Sequence, residues 1–479
     1  MRYAYEVAAV RAAEQELMAA LPEGALMQRA ATGLANVAAA ILGSARGGVY
    51  GSRVLLLVGV GDNGGDALYA GAMLARRGAA VHAVLADPSR AHAGGLDALR
   101  TAGGRAAPAG DARELADRAD LILDGLLGIG GHGGLRGVFA ELAEAAHAAV
   151  AQTGAPIVAV DLPSGVDADT GEVGGVAIRA DVTVTFGTHK PGLFIDPAAA
   201  HVGVVELVDI GLEFGSAEPA VEVLQQADVR ALLPEPGRFA HKYSRGVLGL
   251  AVGSERYPGA ALLAAGAALR SGVGAVRYDG PVDVVSAHPE VLQGDGRVQA
   301  WVVGSGLGEG DEARGRLTRV LAGDVPVLID ADGLRLLPKS RLERTAPTLL
   351  TPHSGEAGAL LGCSAEEVDA RRLDAVRDLA RTYDATVLLK GAFSLVADPG
   401  GGTVRVNTHA TSYLATAGSG DVLAALAGGL LAGGLSPMDA ASAAAYLHGA
   451  AGLVAARSGP VAAGDLVAAL PGAWQNVAG

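Results

Sequence analysis

The sequence predicts an α/β protein built from two consecutive parallel sheets, each covered by helices on both faces. Three observations predict it. Short aliphatic and β-branched runs recur along the chain, they end in glycine-rich turns, and Ala- and Leu-rich stretches of helical length separate them. At roughly 100–200 residues per domain, a chain of 479 residues has room for two such units. Residues 212–220 (LEFGSAEPA) are short, polar and turn-rich, so the expected domains are 1–213 and 222–479.

The elements follow in order. Residues 5–20 and 25–42 read as amphipathic helices. Strands are expected at 54–59, 81–86, 121–124, 157–161, 182–186 and 204–209, with helices at 66–77 and 138–150 among them. In the second half the strands are 247–252, 300–303, 327–330, 348–351 and 386–390. A long helical region at 421–470 closes the chain, interrupted by Gly433-Gly434, Pro437 and Gly459-Pro460. The halves are not copies, because their glycine motifs differ.

Composition narrows the function. Half the residues are hydrophobic and the mean hydropathy is +0.32, which excludes a disordered chain. Lys and Arg number 37 against 51 Asp and Glu, a formal charge of −14. That balance argues against nucleic acid and anionic membranes as partners. It leaves phosphate ligands open, since backbone N–H groups at helix starts can hold them. The single cysteine, Cys363, rules out an internal disulfide or a thiolate metal cluster. Arg2, Glu6, Arg11, Glu14 and Glu16 break any signal-peptide core, and the apolar run between Asp421 and Asp439 is short for a membrane span. A cytoplasmic protein is expected.

Three strand ends in the first half carry polar motifs. Residues 59–66 (GVGDNGGD) follow a strand and open a helix, and Asp62, Asn63 and Asp66 exceed what a glycine turn needs. Asp124 runs into a glycine-rich loop ending near Arg136, and Asp161 opens DLPSG. Ligands of open α/β sheets bind beyond the carboxyl ends of strands, where all three motifs lie. Each Asp alone is equally readable as a helix N-cap. Asn63, Asp124 and Ser164 form an oxygen-rich set suited to a hard cation or a polar substrate rather than zinc.

The second half has TAGSGD at 416–421, where Gly418 and Gly420 free N–H groups for an anion and Asp421 stands at a helix start. Asp421 reads as the base of a phosphoryl transfer, or as an N-cap. WVVGSGLG at 301–308, TPHSGE at 351–356 and LLKGAFS at 388–394 also end strands. No Walker-type loop and no protein-kinase motif set is present.

Together these motifs, in order along nearly the whole chain, resemble the bifunctional NAD(P)H-hydrate repair enzymes. The resemblance implies a Rossmann-like three-layer α/β/α epimerase domain followed by a ribokinase-like ADP-dependent dehydratase domain. It is carried by DNGGD, DLPSG and FGTHKPGL (186–193) in the first half, and by GSERYPGAA (253–261), LIDADGL (328–334), LLKGAFS and GSGD in the second. By motif, Asn63, Asp124 and Ser164 would bind potassium. Asp62, Asn63, Gly64, Gly65, Asp66, Gly128, Ile129, Gly130 and Arg136 would line the hydrated dinucleotide, with Asp161 as acid/base group. Ala260, Gly306, His353 and Asp421 would contact the hydrate, Asp421 as catalytic base. Lys390, Gly391, Ala392, Phe393, Ser394 and Gly420 would hold the adenine nucleotide.

The resemblance implies repair of NADHX and NADPHX with ADP as co-substrate, Mg²⁺ in the dehydratase, and a homo-oligomer. The family usually has Asn at the position of Asp62, Gly at that of Ala67 and Pro at that of Ser354. Residues 411–413 (TSY) replace a Pro-containing stretch, and the glycine run 130–134 is long. The competing reading is a small-molecule kinase of the same fold, with a non-catalytic ligand-binding module ahead of it.

Overall fold

The computed structural model describes residues 1–338 and 340–479. It divides into two compact units, Tyr3–Ala220, and Val221–Gly479 with Met1–Arg2.

The first unit opens with helices α1 (Val7–Ala20) and α2 (Ala25–Arg46). Its strands are β1 (Arg53–Val58), β2 (Ala80–Leu85), β3 (Arg105–Ala107), β4 (Leu121–Gly125), β5 (Ile157–Val160), β6 (Val182–Phe186) and β7 (Val204–Val208). They form one parallel sheet in the order β3-β2-β1-β4-β5-β6-β7. The order reverses between β1 and β4, so the crevice beyond these strands is the natural ligand position. Alternate residues of β1 point to opposite faces: Leu56 and Val58 join the core with α2, and Leu55 and Leu57 the core with Leu142 and Ala146 of the helix Val138–Thr153. Helix α2 is long and apolar enough to cross a membrane. Its face of Ala31, Leu34, Ala35 and Ala38 is instead buried in the core with Val184 and Phe186.

The second unit contains β8 (Val221–Val223), β9 (Val247–Ala251), β10 (Ala275–Tyr278), β11 (Leu292–Gln293), β12 (Ala300–Val303), β13 (Val327–Ile329), β14 (Thr348–Leu350), β15 (Thr386–Leu389), β16 (Ser394–Ala397) and β17 (Val404–Asn407). Their order is β8-β17-β16-β15-β14-β13-β12-β9-β10-β11. The pairs β15–β16 and β16–β17 are antiparallel and the others parallel. The expected C-terminal helical region is three helices, Ser419–Ala432, Pro437–Ala455 and Ala463–Ala478.

Small residues set how closely these layers approach. A Cβ on Gly428 would lie 2.1 Å from Val302, and one on Gly249 would lie 2.4 Å from the Trp301 ring. Trp474 covers Gly272 in the same way, its ring 3.1 Å from where a Cβ would sit.

The strands β3, β8, β10, β11, β16 and β17 were not expected. They are two to four residues long or mix polar with apolar positions, which leaves no continuous apolar run to read. The helix expected from residue 66 begins at Asp62 and is Asp62–Arg76 (α3). Gly61, at φ 90°, makes the turn, and Gly64 packs where a Cβ would meet Gly59 O at 2.8 Å. The DNGGD segment is therefore the first helical turn and not a loop ahead of it.

Candidate active sites

In the first unit the sequence after β5 turns sharply. Asp161 has φ 66°, and Leu162 N donates to Val160 O at 2.8 Å across it, a left-handed γ-turn that few residues adopt. The turn aims the carboxylate at β6 and the FGTHKPGL segment. Its Oδ1 accepts from Lys190 Nζ at 2.5 Å, Thr185 Oγ1 at 3.1 Å and Phe186 N at 3.2 Å. None of these uses Oδ2. Lys190 is almost fully buried and also donates to Thr185 Oγ1 and the Phe186 carbonyl.

Around this pair lie further carboxylates. Asp66 on α3 has its acidity weakened strongly by burial and then by Asp161, Asp62 and Glu14, and its Oδ1 is buried without a hydrogen-bond partner. Glu14 on α1 is raised by burial and by Asp161. The N-terminal helix thus brings a carboxylate to the same field.

Asp124, at the end of β4, is completely buried. It accepts from Ser164 Oγ at 2.7 Å, Ser164 N at 2.8 Å and Leu126 N at 3.2 Å. None of these partners carries charge, and burial raises the carboxyl to about 6. Asn63 lies across Gly128, where a Cβ would sit 3.0 Å from Asn63 Oδ1, and its buried Nδ2 has no partner. Asn63, Asp124 and Ser164 therefore come from three strand-end segments of one crevice. Gly59 is obligatory there, since a Cβ would lie 1.7 Å from Leu126 O. Arg136 follows at the end of the glycine loop, its guanidinium near Gly133.

In the second unit, Ala260, Gly306 and Asp421 line one cavity of about 430 Å³ with Tyr257, Leu263, Asp332 and Gly418. Asp421 is in the first turn of Ser419–Ala432, and burial followed by the Asp330 charge raises it to about 6. Lys390 directly follows β15 and donates to Asp330 Oδ1 at 2.8 Å, with Glu356 at 3.7 Å. Thr351 Oγ1 donates to the same Asp330 oxygen at 2.9 Å. A Cβ on Gly420 would sit 3.5 Å from Lys390 Nζ, so the anion loop and the lysine adjoin. His353 is placed differently. It caps the helix Ser354–Leu361, its Nδ1 accepting from Gly355 N at 3.0 Å, and it stands outside the lining of the cavity.

Two family descriptions match the chain: NAD(P)H-hydrate dehydratase over residues 248–471 and YjeF-related protein N-terminus over residues 23–192. The bifunctional NAD(P)H-hydrate repair enzyme Nnr of Mycobacterium leprae is 48% identical over 471 residues, covering 96% of each chain. The chain belongs to the bifunctional NAD(P)H-hydrate repair enzymes. The Nnr of Mycobacterium tuberculosis is 46% identical over 92% of each chain. The Bacillus subtilis ADP/ATP-dependent NAD(P)H-hydrate dehydratase, co-crystallised with ATP/Mg²⁺, has a TM-score of 0.50 and 29% identity, over 53% of this chain and 97% of its own.

Several residues of this repair enzyme were invisible one motif at a time. Lys190 stands in FGTHKPGL, yet only folding brings it onto Asp161. Asp330 and Glu356 likewise stood in LIDADGL and TPHSGE, and the shared contact with Lys390 is their signal. Glu14 had none, being one acidic residue on a polar helix face.

Proposed function

We propose that the two units carry out successive steps on hydrated nicotinamide dinucleotides: interconversion of R and S NAD(P)HX, then ADP-dependent dehydration of the S epimer to NAD(P)H. The observation that carries the reading is a carboxylate beside a lysine in each unit: Asp161 paired with Lys190 beyond β5, and Asp421, at a helix start, in the field of the Lys390–Asp330 pair.

In the epimerase unit Asp161 moves the proton at the reacting carbon. Lys190, Thr185 and the Phe186 N–H occupy Oδ1, which leaves Oδ2 as the proton-transfer atom. Asp62, Asn63, Gly64, Gly65 and Asp66 on the first turn of α3, with Gly128, Ile129, Gly130 and Arg136, line the dinucleotide. Asn63, Asp124 and Ser164 fit potassium, because they offer oxygen ligands around a buried carboxylate that has no charged partner. Bound there, potassium supplies that missing positive charge.

In the dehydratase unit Ala260, Gly306 and His353 position the hydrate, and Asp421 takes the proton of its ring hydroxyl. The freed oxygen attacks the β-phosphorus of ADP and AMP departs. The phosphate ester then breaks at its C–O bond, and loss of the neighbouring ring proton restores the double bond of NAD(P)H. Lys390 to Ser394, with Gly420, hold the nucleotide. Among the described residues no group of three or more His, Cys, Asp or Glu is placed so as to hold a metal ion. Mg²⁺ therefore fits as a companion of the nucleotide phosphates, the role in which it neutralises phosphoryl charge. The Bacillus subtilis dehydratase crystallised with ATP/Mg²⁺ supports that use.

Incubation with mixed epimers, ADP and Mg²⁺ tests the proposal. Both epimers are consumed and reduced nicotinamide absorbance returns. Absence of recovery with folded protein refutes it. A cytoplasmic homo-oligomer suits such a metabolite enzyme, and cell fractionation and sedimentation check both points.

A further inference from the structure

Arg372 begins the helix Arg372–Tyr383 and is buried, with 3% of its surface exposed. A guanidinium is seldom buried unless its N–H groups are occupied. Here one edge, NH2, points at the carbonyls of Leu389 at 3.4 Å, Lys390 at 3.0 Å and Phe393 at 3.4 Å. The other, NH1, donates to Ser354 Oγ at 3.1 Å and Asp369 Oδ1 at 3.0 Å. Ser354 in turn donates to Asp369 at 2.5 Å. The turn rests directly on the planar group, since a Cβ on Gly391 would come 2.3 Å from NH2. One side chain therefore spans the backbone of Leu389–Phe393 and the residue next to His353. Lysine could not do so, because its single ammonium lacks the flat, forked set of donors. The Ser354 hydroxyl makes a contact that the proline more usual at that position could not.

We propose that Arg372 is a positioning residue, which fixes the 390–393 turn to receive a nucleoside diphosphate and couples that turn to the loop bearing His353 and Ser354. The proposal rests on the reading of residues 390–394 as the nucleotide site. Without the guanidinium, three backbone carbonyls lose a charged donor and the turn loses the floor that sets its shape.

The test titrates Mg·ADP against the full chain by calorimetry, with melting curves run alongside, for wild type, Arg372→Lys, Arg372→Ala, Ser354→Ala and Ala392→Asp. Arg372→Ala weakens ADP binding by about tenfold or more, as expected for lost hydrogen bonds to a charged group. Arg372→Lys recovers little of it, Ser354→Ala weakens binding less, and KM for the hydrate moves less than KM for ADP in each. If Arg372→Ala does not fold, Arg372→Lys and Ser354→Ala decide. Unchanged ADP affinity in folded Arg372 variants overturns the proposal. Ala392→Asp adds a negative charge on the exposed turn and separates the two readings. If it weakens ADP while the Arg372 variants do not, only the positioning role fails. If it too leaves ADP binding unchanged, the nucleotide site lies elsewhere.

Discussion

Lys190 Nζ lies 2.5 Å from Asp161 Oδ1, with both side chains nearly buried. A paired charge of this kind is tolerated in the interior because each partner also holds polar contacts, while removal of one partner strands the other. Lys190→Met is expected to lower epimerisation by about a hundredfold or more and to destabilise the unit by about 3–5 kcal/mol. Epimer-resolved chromatography reads the first effect and urea unfolding the second. Asp161→Asn in the same background restores part of the stability and none of the activity.

Asp421, raised to about 6 by burial and Asp330, must be ionised to act as base. Dehydratase kcat/KM therefore holds steady above about pH 6 and falls about tenfold per unit below it. Asp330→Asn removes a negative neighbour, so the acid limb moves to lower pH. A pH–rate profile at saturating Mg·ADP displays both, and an unmoved limb contradicts the assignment.

Asp124 makes the opposite kind of demand. Its folded value, about 6, exceeds the ordinary carboxyl value near 3.8, so the folded state binds the proton more tightly. Ionisation of this group thus lowers stability as pH rises from about 4 to about 6, and the full penalty persists above that. The potassium proposed for this site would offset it. Melting temperature should rise with KCl over tetramethylammonium chloride at pH 8, and much less at pH 5. Asp124→Asn should abolish the difference.

Gly59 has its place for steric reasons alone. Gly59→Ala drives a methyl into the Leu126 carbonyl, and the expected loss is about 3 kcal/mol, the upper end for overpacking. Chemical denaturation followed by circular dichroism measures it.

Where the sequence was legible, the signal was local. The strand ends at Gly59, Asp124 and Asp161 were readable because an apolar run stops and a glycine turn with surplus polar groups begins, and Asp421 because a glycine turn opens a helix. The helix at DNGGD was placed late, because two adjacent glycines argue for a loop until the close approach of Gly59 O is known. The antiparallel strands β16 and β17 escaped because their polar positions, Ser394, Arg405 and Asn407, interrupt the apolar pattern. Lys190, Asp330 and Arg372 carry no chemistry by spacing. Their roles arise from contacts between distant segments, which one motif at a time cannot show. His353, conspicuous in its motif, has in addition a role that the motif does not show, as the cap of a helix.

The packing of Trp301 over Gly249 and of Trp474 over Gly272 has a practical outcome for anyone following these experiments by light. The chain has two tryptophans, and both stand in the Val221–Gly479 unit. Indole emission therefore reports the dehydratase alone. The epimerase unit could melt without changing that signal, so a single sigmoid in a fluorescence denaturation curve would describe half an enzyme.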